Sequence, residues 1–477
     1  MAIIAGRDVL LLEGVRRMAM HAFGDDALGT HDAVGLARAV RRREVSPAEL
    51  ADAAASRMEK VAELKALVGA PLSAPFAGEA GGPFAGVPTV IKDNSDVLGQ
   101  PSGQGSEIIR AGAASKHGPV AREMLAMGFG IVAKTTLPEF GLSASTEFPT
   151  RPPTRNPWNT DYSSGASSGG SAALVAAGAV PLAHGNDGGG SIRIPASCCG
   201  LVGLKPSRGR WVLPTVEKLL PVPIVSEGVL TRSVRDTATF WAAADRSSSR
   251  ALRPIGAVTG PSPRRLRVGK ITQSLAGSGT DTDTLAAVRD AATLLERLGH
   301  DVTPIDVLPL DRRFPEDFVH YWAFLAYAMQ KSTPRLKGRT ERDFDTLTVG
   351  LADRFRRNRL GLPAVVRRLR RAADDYASMF ASVDVVMSPV LGFATPELGF
   401  LSPHVPFEEY LTRLTDYAAF TPLHNVTGAP AISLPLGQSS AGMPLGMMFS
   451  GLRGDERTLL ELAFELEDAA PWRTLAD

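Results

Sequence analysis

Two glycine-framed runs decide the fold. The first is Gly165-Ala166-Ser167-Ser168-Gly169-Gly170-Ser171; the second, after an alanine-rich segment, is Asn186-Asp187-Gly188-Gly189-Gly190-Ser191-Ile192-Arg193-Ile194-Pro195, leaving through Gly200-Leu201-Val202-Gly203-Leu204-Lys205. A short helix and a strand fit between the two serines, Ser167 and Ser191, so two tight turns bracket one hairpin-like unit. Glycine beside a hydroxyl lets the backbone approach a reacting carbonyl that a side chain would block. The consecutive amides of Gly188, Gly189, Gly190 and Ser191 are placed to converge on one concavity. Such a nest stabilises developing negative charge, and losing one donor typically costs about 3 to 4 kcal/mol of transition-state stabilisation.

A third run, Phe84-Ala85-Gly86-Val87-Pro88-Thr89-Val90-Ile91-Lys92-Asp93-Asn94, reads as an apolar strand that ends by carrying Lys92 on the same face as Val90. Burial disfavours the charged amine, so a lysine in such surroundings can serve as a base. One lysine and two serines make a proton relay that needs no histidine. Taken singly, each residue has a plainer reading: a solvated strand end for Lys92, a turn hydroxyl for Ser167 and a helix cap for Ser191. Their joint occurrence in glycine-rich settings favours catalysis.

Lys92, Gly165-Ala-Ser167-Ser168-Gly-Gly-Ser and Asp187-Gly-Gly-Gly-Ser191-Ile-Arg193 together resemble the amidase signature family. The flanks agree: Arg155-Asn-Pro-Trp-Asn, Gly203-Leu-Lys-Pro, Gly228-Val-Leu-Thr-Arg-Ser-Val-Arg-Asp and Asn425-Val-Thr-Gly-Ala-Pro-Ala-Ile-Ser-Leu-Pro. His184-Gly-Asn-Asp and Phe420-Thr-Pro-Leu-His-Asn-Val are most similar to the 6-aminohexanoate-cyclic-dimer hydrolase-like enzymes and the bacterial AmiC-type amidases within it. The resemblance implies an amidase that cuts carboxamide C–N bonds through an acyl-enzyme. Ser191 would be the nucleophile, Ser167 on a cis peptide the proton shuttle and Lys92 the base. The amides of Gly188, Gly189, Gly190 and Ser191 would hold the oxyanion. Asp187 and Arg193 would pair to hold the loop, and Ser168 would support the cis-serine turn. It further implies a small-molecule amide substrate, no cofactor and no metal, with a homodimer as the expected assembly. Because the base must be neutral, kcat/KM should fall as pH drops through a lysine pKa of about 7 to 8. The sequence departs from the commoner pattern at Gly188, where many members carry Thr or Ile, and at Asn186 in place of Thr; a third glycine implies a loop of lower intrinsic rigidity.

Composition limits the alternatives. The chain has 477 residues, 44% of them apolar, and a formal net charge of +2, as expected of an ordinary globular protein with no nucleic-acid or membrane partner. Its only cysteines, Cys198 and Cys199, are adjacent, which disfavours a bridge between them. Free thiols fit a reducing compartment, so a cytoplasmic protein is expected. Arg7, Glu13, Arg16 and Arg17 interrupt the first apolar patch, leaving neither a secretory core nor a membrane span there.

Along the chain, residues 1–20 read as an N-terminal extension and 21–477 as the amidase signature domain. Helix patterns cover 32–43 and, after the capping box Ser46-Pro47-Ala48-Glu49, a stretch to about Val61. The lysine strand, a helix over 119–127 and a strand over 131–134 follow. Strand 180–183 delivers the Asp187–Ser191 loop, and 266–271, 282–298 and 301–305 make a βαβ-like unit. Strands at 383–387, 431–434 and 445–450 and a helix over 456–468 close the chain. The sum is an α/β fold: a large, mixed, twisted sheet covered by helices on both faces, with a helical subdomain inserted at about 310–420. There Arg367, Arg368, Arg370 and Arg371 read as a solvated basic face, and Phe318, Tyr321, Trp322, Phe324 and Tyr327 as core rather than acyl pocket.

Three further readings compete. Gly165-Ala-Ser167-Ser-Gly169 also satisfies the G-x-S-x-G elbow of α/β-hydrolases, which would make Ser167 the nucleophile of an esterase. That elbow follows a buried strand, whereas Asn156-Pro-Trp-Asn-Thr-Asp-Tyr-Ser-Ser is polar and broken by proline. His184 and His424 are better suited to structural roles than to serving such a serine. A glutaminase subunit of a transamidating complex is the second, and a silent binding protein the third. No phosphate loop, Cys-x-x-Cys or His-Glu-x-x-His occurs.

Overall fold

A computed structural model describes residues 19–212, 220–245, 252–274 and 277–477; the expected extension over 1–20 lies almost wholly outside them. Strands β1 (Pro88–Lys92) and β2 (Gly130–Thr135) pair in parallel. Eight more form a mixed sheet: β3 (Leu182–Asp187), β4 (Val202–Lys205), β5 (Ser226–Thr231), β6 (Arg267–Lys270), β7 (Asp301–Pro304), β8 (Val385–Pro389), β9 (Ala431–Gln438) and β10 (Pro444–Ser450). They lie side by side in the order β3-β5-β4-β9-β10-β8-β6-β7. β6 is parallel to β7 and β8; the other pairs are antiparallel. Every residue of β1, β3, β4, β5, β8 and β10 is buried, on both alternating faces, as a sheet covered by helices on both sides requires.

β1 lies beside β3 without a ladder between them. Thr89 Oγ1 donates to the Leu182 carbonyl at 3.0 Å, and the Lys92 amide donates to His184 Nδ1 at 3.2 Å. These bonds bring the lysine strand to the serine strand. The capping box forms as read: the Glu49 amide donates to Ser46 Oγ at 3.2 Å and the Ser46 amide to Glu49 Oε2 at 2.8 Å, starting helix Pro47–Lys60.

The helical insertion needs a correction. β8 falls inside 310–420 and sits between β10 and β6, so the segment is two helical pieces around a core strand. Helices Phe314–Ser332, Thr346–Arg357 and Leu362–Ser378 precede it; helices Phe407–Tyr417 and Pro422–Thr427 follow. The short β4 and β5, which stand between β3 and β9, have no counterpart among the expected strands.

A buried carboxyl pair ties this helical part to the loop after β2. Glu139 Oε1 accepts from the Asp345 amide at 2.9 Å and its Oε2 from Ser106 Oγ at 2.6 Å, while Asp345 caps helix Thr346–Arg357 through the Thr348 amide at 2.8 Å. Burial, with the Asp345 charge adding to it, pushes the Glu139 carboxyl up to about 8. A folded-state pKa above the unfolded one gives stability that is complete below the unfolded value and is lost as pH rises through the folded value. The melting temperature should therefore decline from pH 5 to pH 8.5. Glu139→Gln, which keeps an acceptor for the Asp345 amide, should flatten that decline; equal slopes for parent and variant would refute the assignment.

Candidate active site

Lys92 ends β1 and is fully buried. Its Nζ lies 2.5 Å from Asn186 Oδ1, 2.7 Å from Ser167 Oγ and 3.1 Å from Ser168 Oγ. An amide oxygen only accepts. Ser168 Oγ donates to the Asn186 carbonyl at 3.3 Å, so it also accepts from the amine. Two N–H directions of the amine are thus taken by acceptors, and Ser167 Oγ, which can donate, faces a third. The Ala166–Ser167 peptide is cis. Gly141, at φ +69°, lets the loop after β2 pass close by: a Cβ there would lie 2.9 Å from Ser167 Oγ.

The loop from Asp187 to Arg193 is organised by one carboxylate. Asp187 Oδ1 accepts from the Gly190 amide (2.7 Å), Arg193 Nη2 (2.9 Å) and Asn425 Nδ2 (2.8 Å); Oδ2 accepts from the Ile192 amide (3.2 Å) and Arg193 Nε (2.9 Å). Burial alone would raise its pKa, but the adjacent Arg193 guanidinium and these bonds hold the carboxyl well below the usual range. The expected pairing of Asp187 with Arg193 is therefore present in the fold. The amide nest is narrower than expected, because Gly190 N–H is committed to Asp187. The amides of Gly188, Gly189 and Ser191 remain as candidates. Gly190 itself, at φ +134°, is crowded by Thr421 and Ile194, so no side chain fits there. Thr421 Oγ1 donates to the Gly189 carbonyl at 2.5 Å.

Behind Lys92 stand two titratable residues. Since His184 Nδ1 accepts from the Lys92 amide, its Nε2 carries the hydrogen and donates to Glu227 Oε2 at 2.8 Å. Burial, aided by the Lys92 charge, brings His184 down to about 3, and burial pushes the Glu227 carboxyl up to about 8. Near neutral pH this is a hydrogen bond between uncharged groups, not an ion pair. His424 Nδ1 accepts from Arg193 Nη1 at 3.2 Å. Both histidines are structural, and Ser167 has a lysine as its partner where the esterase elbow would need a histidine. The sequence reading missed Glu227, Thr421 and Asn425. Asn425 stood in a quoted flank, but nothing local marks it as the ligand of Asp187.

Ser191 shares one chamber with Asn94, Gly141, Ser167, Asn186, Gly188 and Trp322. Among the described residues its hydroxyl makes no hydrogen bond. A second chamber also borders Ser191; it shares Gly141, Leu142 and Trp322 with the first and adds Ile194, Phe318, Val319 and Leu414 among others. The aromatic cluster is therefore divided. Phe318 and Trp322 line the cavity, Tyr321 donates to the Val222 carbonyl at 2.8 Å, and Phe324 and Tyr327 pack on Phe355. Of the arginines, Arg368 pairs with Asp317 at 2.5 Å and Arg370 caps the Pro221 carbonyl. Among the described residues no cluster of three or more His, Cys, Asp or Glu could hold a metal, and no helix is long and apolar enough to cross a membrane.

Known proteins share this sequence and this fold. The Amidase family model matches residues 48–460. The AmiC protein of Mycobacterium leprae is 50% identical over 463 residues, covering 95% of this chain and 98% of its own. The 6-aminohexanoate-cyclic-dimer hydrolase of Pseudomonas sp. (strain NK87) is 36% identical, covering 92% and 95%. A solved structure of 6-aminohexanoate cyclic dimer hydrolase complexed with substrate superposes with a TM-score of 0.81 at 33% identity, over 94% of this chain and 99% of that one. A bacterial aryl acylamidase of the amidase signature enzymes gives 0.79 at 25% identity, over 93% and 96%. The chain belongs to the Amidase family and is an amide-hydrolysing enzyme.

Proposed function

We propose that this enzyme hydrolyses carboxamides to the carboxylate and ammonia or an amine through an acyl-enzyme on Ser191, with Ser167 and Lys92 moving the proton. The observation that carries the reading is the 2.7 Å approach of Lys92 Nζ to Ser167 Oγ, with acceptors already occupying two other directions of the amine. A neutral amine offers two hydrogens and one lone pair. Asn186 and Ser168 take the hydrogens, and the lone pair receives the Ser167 proton.

In the first step the Ser191 proton passes to Ser167 Oγ as the Ser167 proton passes to Lys92, and Ser191 Oγ bonds to the substrate carbonyl carbon. The carbonyl electron pair moves to oxygen, which the amides of Gly188, Gly189 and Ser191 face. Collapse of this adduct breaks the C–N bond; the departing nitrogen takes its proton from Ser167, which recovers one from Lys92. Water then attacks the ester carbonyl and gives its proton through Ser167 to Lys92; collapse of this second adduct breaks the Ser191 Oγ–C bond, Ser191 Oγ recovers that proton from Lys92 through Ser167, and the acid leaves as its carboxylate. Both hydroxyls line one chamber, and catalytic hydrogen bonds commonly tighten only once substrate is bound. The free, buried thiols of Cys198 and Cys199 support a reducing, cytoplasmic setting.

Ser191→Ala should lower turnover by about five to six orders of magnitude and abolish labelling by a serine-directed phosphonate. Ser167→Ala should lose about two to four orders and keep a residual rate; recovery of the label on Ser167 by peptide mapping would overturn the roles. Protonating Lys92 removes the base, so kcat/KM measured from pH 9 down to pH 6 should fall. A flat profile would exclude Lys92 as the base.

A further inference from the structure

The two chambers beside Ser191 differ in chemistry, and this difference assigns the two ends of the substrate. The assignment rests on the proton path above: Ser167 protonates the departing nitrogen, so the nitrogen lies on the side of Ser191 that Ser167 lines, with Asn94 and Asn186. Asn94 Oδ1 is buried without a protein partner, and an amide N–H would satisfy it. The acyl part then enters the second chamber, which Ser191 also borders and Ser167 does not.

That chamber, of about 100 Å³, is walled by Leu142, Ile194, Phe318, Val319, Trp322 and Leu414. Its other side-chain oxygens are committed within the protein: Ser143 accepts from Tyr410 at 2.7 Å, and Thr415 donates to the Leu411 carbonyl at 2.9 Å. Among the described residues lining either chamber, none is charged. An apolar cavity of roughly 150 Å³ holds a benzene molecule, so this smaller one matches a short alkyl chain. A charged group placed there loses its water and meets no counter-charge.

We propose that the substrates are neutral amides of apolar acids, with an unbranched acyl group of about four to six carbons in the chamber walled by Phe318 and Trp322. Acyl groups that carry a formal charge, such as that of glutamine, are rejected.

The test is kcat/KM of the purified full-length enzyme for acetamide, butyramide and hexanamide, against glutamine and 6-aminohexanamide. Each added methylene up to hexanamide should raise kcat/KM about four-fold, the equivalent of about 0.8 kcal/mol. Glutamine and 6-aminohexanamide should fall at least a hundred-fold below hexanamide. A flat series, or a charged amide that matches hexanamide, overturns the proposal. Inactivation by n-alkyl phosphonates of rising chain length separates this inference from the reaction itself. Labelling of Ser191 that quickens with chain length, without turnover of any amide, would uphold the chamber and sink the amide chemistry. Labelling indifferent to chain length would sink the chamber. Ala418→Phe, which fills the same space, should move the optimum to shorter chains in both assays; an unmoved optimum counts against the chamber.

Discussion

The Asp187 carboxylate is the constraint from which the site follows. It is fully buried, and an unpaired charge in that position would cost several kcal/mol. Arg193, only six positions on, returns two donors to it, and the turn that allows this return contains Gly190 and Ser191. The loop therefore cannot relax without leaving two ions half-paired in a dry interior. Asn425 completes the arrangement from the far end of the chain: its Nδ2 reaches the Asp187 carbonyl and carboxylate, and its Oδ1 accepts from Arg193 Nη2 at 2.7 Å. Short helix Pro422–Thr427 thus acts as a clamp on the serine loop, which explains why the site needs nearly the whole chain to form.

The second requirement is that hydrogen bonds to Asn186, Ser167 and Ser168 hold the Lys92 amine. β3 and β5 place His184 and Glu227 behind Lys92, where a carboxylate would favour the ammonium form. Burial keeps both groups uncharged near neutral pH, so the pair satisfies the Lys92 backbone amide and Nε2–H without supplying a counter-ion. Asn186 adds a strong dipole at 2.5 Å that can only accept.

What was legible in the sequence had local causes. The Ser46–Glu49 box and the parallel β6–β7 unit each follow from residues within one element and its turns. The glycine settings of Ser167 and Ser191 likewise mark close backbone approach. What stayed hidden depends on distant partners. Val202–Lys205 and Ser226–Thr231 are short and glycine-containing, so neither shows alternation, and only their neighbours in the sheet make them strands. The aromatic run on Phe314–Ser332 could not be divided into core and cavity wall, because helical spacing does not say what each face meets. β8 reads as a strand of the sheet from its own apolar residues, but nothing local shows that it lies between β10 and β6.

The third glycine of the loop shows how a local inference is reversed by packing. From the sequence, Gly188 should loosen the turn, since glycine surrenders the most conformational entropy. In the fold, a Cβ at 188 would lie 3.3 Å from Val225 and 3.9 Å from Trp322, so side chains from outside the loop already stand against this position. Gly189 is covered in the same way by Phe318 and Trp322, each 3.4 Å from where its Cβ would be. Rigidity is therefore supplied by the aromatic wall and by the Asp187 bonds, not by side chains of the loop itself. The same Trp322 walls both chambers, so the residue that makes up for the missing side chain at 188 also shapes the space beside Ser191. A bulkier residue at 188 would press on Val225 and Trp322 and so disturb both the amide nest and the chamber; the glycine and the tryptophan are two halves of one packing solution.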